Sequence, residues 1–224
     1  MLVGHGRMGQ LVARMAPAYD FTIAGILTSR SEEDAIERAV AEGARMAIDF
    51  SQPPAVPTNL PRLAAAGVSV VIGTTGWHAQ EAELRAVAAR YEIGVLAASN
   101  FSLGMHIFRA LVEDAARRFG ARADVGAWIH EAHHDKKKDA PSGTAVTLNS
   151  AMIGAGYPRA IDMSSTRAGS IPGTHTVGFD GPSETVTLTH AVRDRAVFAE
   201  GALEAATWLE GKRGWFTIDD MLAG

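Results

Sequence analysis

Over about the first hundred residues, short apolar runs alternate with helix-prone segments, and few folds satisfy such a pattern. The runs are Met1–Val3, Phe21–Leu27, Met46–Phe50, Val68–Ile72 and Gly94–Ala98; between them lie Gln10–Met15, Ser31–Glu42, a stretch around Leu60–Ala66, and Glu81–Arg90. Strands that are apolar along their length need cover on both faces, and a helix after each strand lets the next run the same way. The pattern predicts a parallel sheet between helical layers. All strands of such a sheet end on one edge, where ligands bind. Small polar residues gather there, in Gly73-Thr74-Thr75-Gly76 after the fourth run and Ser99-Asn100-Phe101-Ser102 after the fifth. These two turns are therefore candidate cofactor contacts.

The first run passes directly into Gly4-His5-Gly6-Arg7-Met8-Gly9 and then the helix-prone Gln10–Met15. Strand, G-x-G-x-x-G turn and helix is the layout in which a pyrophosphate approaches the backbone at a helix N-terminus. Only three residues precede the first glycine, so the first strand is expected to be very short. An acidic residue after the second run would favour NAD. The chain has Thr28, Ser29 and Arg30 there, which suit a 2′-phosphate better and tilt the expectation towards NADP. Arg30 also has a plainer reading, as the residue that opens the Ser31–Glu42 helix.

After Ser102 the alternation stops. A long helix over Met105–Phe119, a strand leading out of Ala123–Ile129, and strand-like runs at Val177–Phe179 and Glu184–His190 predict a second, more open α+β layer. The glycine-rich segment Arg167–Thr176 is expected to form a further wall of the site. A tail helix over Ala196–Leu209, followed by Trp215–Ile218, is amphipathic enough to pack back on the first layer.

Within the second layer, Glu131–Ala145 places the imidazoles of His133 and His134 and the amines of Lys136, Lys137 and Lys138 ahead of Pro141-Ser142-Gly143-Thr144. Ser142 is the expected N-cap of a helix over Thr144–Ile153. The free N–H groups of Gly143 and Thr144, with the positive end of the helix dipole, suit a carboxylate or phosphate. The segment is read as a site for a small anion that must be protonated. By itself a lysine run is as readily a solvated loop, and a histidine pair an ordinary surface feature. His130-Glu131-Ala132-His133-His134 also meets the H-E-x-x-H zinc pattern, which requires a helix. Here the lead-in is rich in strand formers and contains Gly126, and lysines and Asp-Ala-Pro follow at once, so no metal is expected.

Composition narrows the function classes. At 224 residues and 47% apolar, the chain can bury one large or two modest cores. A net charge of −4 argues against a nucleic-acid partner, which would demand a basic face. There is no cysteine for disulfides or thiolate metal sites, no apolar run of membrane-spanning length and no signal-peptide pattern. The expected compartment is the cytoplasm.

Taken together, these residues resemble the 4-hydroxy-tetrahydrodipicolinate reductases, also called dihydrodipicolinate reductases. The resemblance is densest at Glu131-x-His133-His134-x-x-Lys137-x-Asp139-Ala140-Pro141-Ser142-Gly143-Thr144-Ala145. It continues in Gly6-Arg7-Met8-Gly9, Asp49-Phe50-Ser51, Gly73-Thr74-Thr75-Gly76, Asn100-Phe101-Ser102, Arg167-Ala168-Gly169 and Gly173-x-His175-Thr176. The family implies a Rossmann-like cofactor domain, here 1–101 plus 195–224, and an α+β substrate domain, here 102–194, whose sheet builds a homotetramer. It also implies reduction of the cyclic imine product of dihydrodipicolinate synthase by NADPH or NADH, a step of diaminopimelate and lysine synthesis. By position, His133 would be the proton donor or acceptor and Lys137 the proton donor, with His134, Gly143 and Thr144 contacting a small dicarboxylate. Gly4, His5, Gly6, Arg7 and Met8, Gly73 to Thr75, and Ala98 to Phe101 would hold the cofactor. The chain is shorter than is usual for the family before the first strand and between Arg30 and Met46, and it carries Pro172 and Thr174 where Val and Glu are usual. A chain that kept this fold as a cofactor-binding sensor without activity is the alternative; His133, Lys137, Gly143 and Thr144 standing together argue against it.

Overall fold

The computed structural model describes residues 1–223. It resolves into two units, Met1–Ser102 with the tail from Ala196 onward, and Leu103–Arg195.

In the first unit the strands are β1 (Leu2–Val3), β2 (Ile26–Leu27), β3 (Met46–Asp49), β4 (Ser69–Ile72) and β5 (Gly94–Ala97), joined by a C-terminal strand, Gly214–Phe216. They form one parallel sheet in which the C-terminal strand borders β5, followed by β4, β3, β1 and β2. Between the strands run α1 (Arg7–Met15), α2 (Ala35–Ala41), α3 (Val56–Ala65) and α4 (Glu81–Arg90). Leu60, Leu63, Val70, Leu84 and Val95 fill the core between sheet and helices, as the apolar runs predict. From β2 the chain crosses to the other side of β1 to lay down β3. The connections above β1 and β3 therefore diverge, which opens a crevice beyond the strands' C-terminal ends.

Two predicted elements are shorter than expected. The second run pairs only at Ile26 and Leu27, because β1 offers only Leu2 and Val3 as partners. The Ser31–Glu42 helix begins at Ala35. Before it, Thr28 to Ser31 close a turn in which Ser31 N donates to Thr28 O (3.1 Å) and Thr28 N to Ser31 Oγ (2.9 Å). Arg30 thus sits in an exposed turn and opens no helix. Conversely, Trp215 and its neighbours do more than pack back, extending the sheet beside β5.

The second unit is built on a four-stranded mixed sheet. Its strands are β6 (Gly126–His133), β7 (Ile161–Arg167), β8 (Thr174–Asp180) and β9 (Thr185–Ala191), ordered β7-β6-β8-β9 with β6 and β7 parallel. Helices α5 (Leu103–Gly120) and α6 (Gly143–Gly154) bury Met105, Val112 and Leu148 with Ile129, Val177 and Phe179 of the sheet. Strand β7 was not anticipated, since Asp162-Met163-Ser164-Ser165-Thr166 is largely exposed and lacks the apolar signal of a buried strand. Strand β6 runs further than its predicted lead-in and carries Glu131 and His133 into regular structure, so His133 lies on a strand instead of in a loop.

The tail helix α7 (Ala196–Leu209) is apolar on most sides and packs against α1 and β3 to β5 in the first unit. A Cβ at its Gly201 would lie 1.8 Å from Phe101 O. Helix propensity alone makes Gly201→Ala stabilising by about 1 kcal/mol, but overlap with a backbone carbonyl reverses the sign. Denaturant unfolding should register a net loss of about 1–3 kcal/mol.

Candidate active site

The crevice of the first unit is a cavity of about 370 Å³ lined by Gly4, His5, Gly6, Thr28, Ser29 and Ser51, with further contributions from α3. Each glycine of the G-x-G-x-x-G turn has a separate reason. Gly4 takes φ +89° and passes so close to β3 that a Cβ would lie 2.5 Å from Phe50 O; at Gly9 a Cβ would lie 2.2 Å from Gly4 O. Gly6 faces open space and begins α1 without any side-chain cap. An anion could therefore approach the first N–H groups of that helix. The Ser51 hydroxyl, in the same lining, is buried beside the Asp49 carboxylate. These features fit a dinucleotide phosphate.

Beside the cavity, Asp49 Oδ1 accepts hydrogen bonds from Ser51 N and Thr74 Oγ1, each 2.8 Å, and Trp77 Nε1 donates to Thr74 O at 2.6 Å. Burial pushes the Asp49 carboxyl above its usual range, and the Ser51 and Thr74 hydrogen bonds oppose that shift. A Cβ at Gly73 would overlap the Phe50 ring at 2.1 Å, and Phe50 meets Phe101 edge-on at 6.1 Å. Gly73 and Phe101 thus meet at Phe50, while Thr74 bonds Asp49 and Ser51 N. Ala98, Ser99 and Asn100 follow β5 on the same edge, and Asn100 Oδ1 accepts from Ser102 N at 2.8 Å. Arg7 and Met8 occupy the first turn of α1. Arg30 lies outside the cavity lining, while Thr28 and Ser29 are within it. Phe50 and Ser51 belong to the resemblance but had no assigned contact.

In the second unit the period of two along β6 turns Ile129, Glu131 and His133 to the buried face and Trp128, His130 and Ala132 to the other. Strand pairing supplies the neighbours: Glu131 lies opposite Ser165 of β7 and His175 of β8, and His133 opposite Arg167. The Glu131 side chain is 0% exposed. Its Oε1 accepts from Arg167 Nη2 at 2.6 Å and from Ser142 N at 3.3 Å, and its Oε2 pairs with His133 Nδ1. Burial works against ionisation of Glu131, yet the hydrogen bonds from Arg167, Ser165 and His133 outweigh it and hold the carboxyl down at about 2. For His133 the balance is reversed: burial lowers its pKa more than Glu131 raises it. His133 Nε2 points at Gly173, where a Cβ would come within 3.1 Å.

Ser142 caps α6 as predicted, its Oγ accepting from Ala145 N at 3.2 Å, and the same hydroxyl meets His175 Nε2 at 3.1 Å. Arg167 Nη2 also donates to Asp139 O at 2.6 Å, which ties the lysine loop to β7. Of the three lysines, Lys136 and Lys138 are exposed. Lys137 is only 23% exposed and donates to both oxygens of Asp139, at 2.7 and 2.9 Å. The Asp139 carboxyl is held below its usual range chiefly by Lys137, and to a smaller extent by its own N–H and that of Gly143. A carboxylate therefore already engages Lys137. His134 stands just past the end of β6, its Nδ1 buried without a partner. Glu131 drew no assigned role from its sequence position, and Arg167 and His175 were legible only as members of a glycine-rich wall.

Glu131, His133 and His175 could offer three metal-ligand atoms within 4.8 Å of one another. Arg167, however, already neutralises the carboxylate, and Glu131 engages His133 Nδ1. The H-E-x-x-H alternative loses its geometry, because its histidines are His130, which lies on strand β6 and bonds Ser164 Oγ at 2.9 Å, and His134, just past that strand's end, with no helix to bring them together. Four residues along a strand span about 13 Å, too far for one ion.

A unit with a parallel sheet and a glycine turn at its switch point, and a second unit whose sheet carries an ion-paired His–Glu and a half-buried lysine, define an NAD(P)H-dependent oxidoreductase of the Rossmann class. Residues 1–101 match the family model described as dihydrodipicolinate reductase, N-terminus, and residues 104–222 that described as dihydrodipicolinate reductase, C-terminus. The chain belongs to the dihydrodipicolinate reductase family. It is 41% identical over 232 residues to the 4-hydroxy-tetrahydrodipicolinate reductase of Xanthomonas euvesicatoria pv. vesicatoria, covering 97% of this chain and 94% of the relative. To the enzyme of the same name from Christiangramia forsetii it is 34% identical over 233 residues, covering 99% and 96%. The expected shortening is thus slight against these relatives. A dipicolinate-bound dihydrodipicolinate reductase from Paenisporosarcina sp. TG-14 shares the fold, with TM-score 0.80, 21% identity and 96% of each chain covered.

Burial first, and then the nearby charge of His133, push His175 down to about 4; burial also lowers His190. An unfolded histidine takes up its proton near pH 6.5, whereas folded His175 waits until about 4. The folded state therefore loses stability as pH falls between those values. The Glu131 contribution goes later, as pH falls from 4.5 towards 2. Denaturant midpoints should drop between pH 7 and 4.5 (about one acid step below neutrality for a histidine), and His175→Gln should flatten that drop.

Proposed function

We propose that this chain reduces 4-hydroxy-tetrahydrodipicolinate with NADPH or NADH in the diaminopimelate and lysine pathway, His133 and Lys137 managing the protons. The observation that carries this reading is the presence in one unit of three groups: a histidine tied to a buried carboxylate, the one half-buried lysine of its run, and the Ser142-capped N-terminus of α6. Loss of the substrate's 4-hydroxyl as water leaves a ring carbon conjugated with the imine, and it is to this carbon that a bound nicotinamide would supply hydride. Negative charge then develops on the substrate ring, and Lys137 Nζ or His133 Nε2 delivers the proton. Gly143 and Thr144 offer backbone N–H groups to one carboxylate of the substrate, and His134 contacts the other side of it. Before substrate arrives, Asp139 holds Lys137 in place.

In the first unit, Gly4 to Met8 receive the pyrophosphate, while Gly73 to Thr75 and Ala98 to Phe101 border the nicotinamide half. Thr28 and Ser29 face the adenosine end without an acidic side chain among them, and Arg30 stands next in the same exposed turn. Further parts of the reading are a homotetramer built through the exposed face of the β6–β9 sheet, and a cytoplasmic location. Among the described residues no helix is long and apolar enough to cross a membrane.

Oxidation of each nicotinamide, followed by its absorbance with synthase-generated substrate, tests the activity directly. Lys137→Ala should lower kcat by roughly two to four orders of magnitude, as loss of a general acid does. Lys136→Ala and Lys138→Ala should leave kcat alone and shift KM little, because exposed lysines act only by screened attraction. Equal losses in all three, confined to KM, would make the run an electrostatic funnel instead. At the adenosine end, the ratio of kcat/KM for NADPH over NADH should fall in Arg30→Ala; an unchanged ratio would mean the guanidinium does not reach the 2′-phosphate.

A further inference from the structure

Four elements of the second unit meet at the Glu131 carboxylate. Its own strand β6 brings His133, β7 brings Arg167, the turn into α6 brings Ser142 N, and β8 lays His175 opposite it. The two oxygens are divided between these partners. Oε1 takes the guanidinium and the backbone N–H, Oε2 meets His133 Nδ1, and the Ser165 hydroxyl adds a further hydrogen bond to the carboxylate. A carboxylate held ionised by an arginine cannot donate, so Nδ1 must carry the hydrogen. In neutral His133 the lone pair is then on Nε2, the nitrogen that faces Gly173, and an incoming proton goes there with Glu131 stabilising the resulting imidazolium.

We propose that Glu131 is a positioning residue for His133: with its charge secured by Arg167, it fixes the tautomer and orientation in which Nε2 exchanges the proton of the reduction. The inference rests on the proton-transfer role assigned to His133 above. Arg167 does a second job in the same arrangement, since its bond to Asp139 O fixes the loop that carries Lys137.

Glu131→Gln is the informative change. If its amide oxygen keeps the Arg167 bond, its NH₂ faces His133, and Nδ1 must become the acceptor. The hydrogen moves to Nε2, and the imidazolium loses its counter-charge. The kcat should fall roughly a hundredfold or more, the same kind of defect as an amide replacing the carboxylate of a Ser-His-Asp triad. A merely structural role would also lower activity, so three readouts separate the two. The first is the pH profile of kcat. His133 is faced by Glu131, by Arg167 from β7, by His175 from β8 and by Lys137 from the loop, with uncharged Ser142 at the start of α6. Glu131 is the only anion among these, so its loss should move the His133 limb to lower pH by about one unit or more. The second is a double-mutant cycle. If Glu131 acts through His133, Glu131→Gln should cost almost nothing further in a His133→Ala background, whereas multiplied losses overturn the proposal. The third needs no variant: nitrogen-15 NMR of the wild-type imidazoles near neutral pH should find the His133 hydrogen on Nδ1, and a hydrogen on Nε2 overturns it. A wild-type chain inactive on synthase-generated substrate would sink the reductase reading itself. An active enzyme with unimpaired kcat in His133→Ala would sink only the role of that histidine.

Discussion

A carboxylate with no solvent exposure is costly to keep ionised, and in the second unit the arrangement of side chains follows from how Glu131 meets that cost. Removing an ion from water carries a penalty of several kcal/mol, and only charge-assisted hydrogen bonds of good geometry offset it. Arg167 supplies the charge, while His133, Ser142 N and Ser165 add further hydrogen bonds. The bonds come from different segments. One interaction therefore fixes the end of β6, the end of β7 and the entry to α6 relative to one another. Loss of the arginine would leave a buried charge unpaired, whereas loss of the carboxylate would leave a guanidinium that still holds Asp139 O.

His175 extends this network along the sheet. It lies opposite Glu131 on β8, meets His133 edge-on at 5.1 Å between ring centroids, and bonds the hydroxyl that caps α6. At only 5% exposure it is pushed towards the neutral form, the form that can share a hydrogen bond with Ser142 without adding positive charge beside His133 and Arg167. The hydroxyl that caps α6 is thus partnered by a neutral group, while the cationic Arg167 is engaged by Glu131.

Close packing of a different kind organises the first unit. The Phe50 carbonyl presses on Gly4, its ring on Gly73, and Gly9 presses on Gly4 in turn. Any side chain at these glycines would push the ends of β1, β3 and β4 apart, and the crevice above them would lose its floor. Gly6, unlike Gly4 and Gly9 of the same turn, looks into open space, which leaves the α1 N-terminus accessible to a phosphate. Family membership accords with both constructions, and the departures expected at the adenosine end fall where the pocket is lined by Thr28 and Ser29 instead of charged side chains.

Periodicity and spacing carried much of this protein in the sequence. Continuous apolar runs demand two-sided cover, so the parallel sheet, α4 at Glu81–Arg90 and α7 at Ala196–Leu209 could be read locally, as could the cap at Ser142. Local signals failed where partners decide the outcome. Strand β2 is short because β1 is short, and β7 is a polar strand that exists through its pairing with β6. In the site, the E-x-H-H-x-x-K pattern located His133 and Lys137, but nothing along the chain distinguishes Arg167 or His175 from other residues of a glycine-rich loop. Register brings them to Glu131, because a slip of one residue between β6 and its neighbours would turn Ser165, Arg167 and His175 away from it. The sequence determined which groups were available for proton transfer; only the tertiary structure decided which carboxylate orients the histidine and which lysine is sheltered, because both depend on burial and strand pairing between segments distant along the chain.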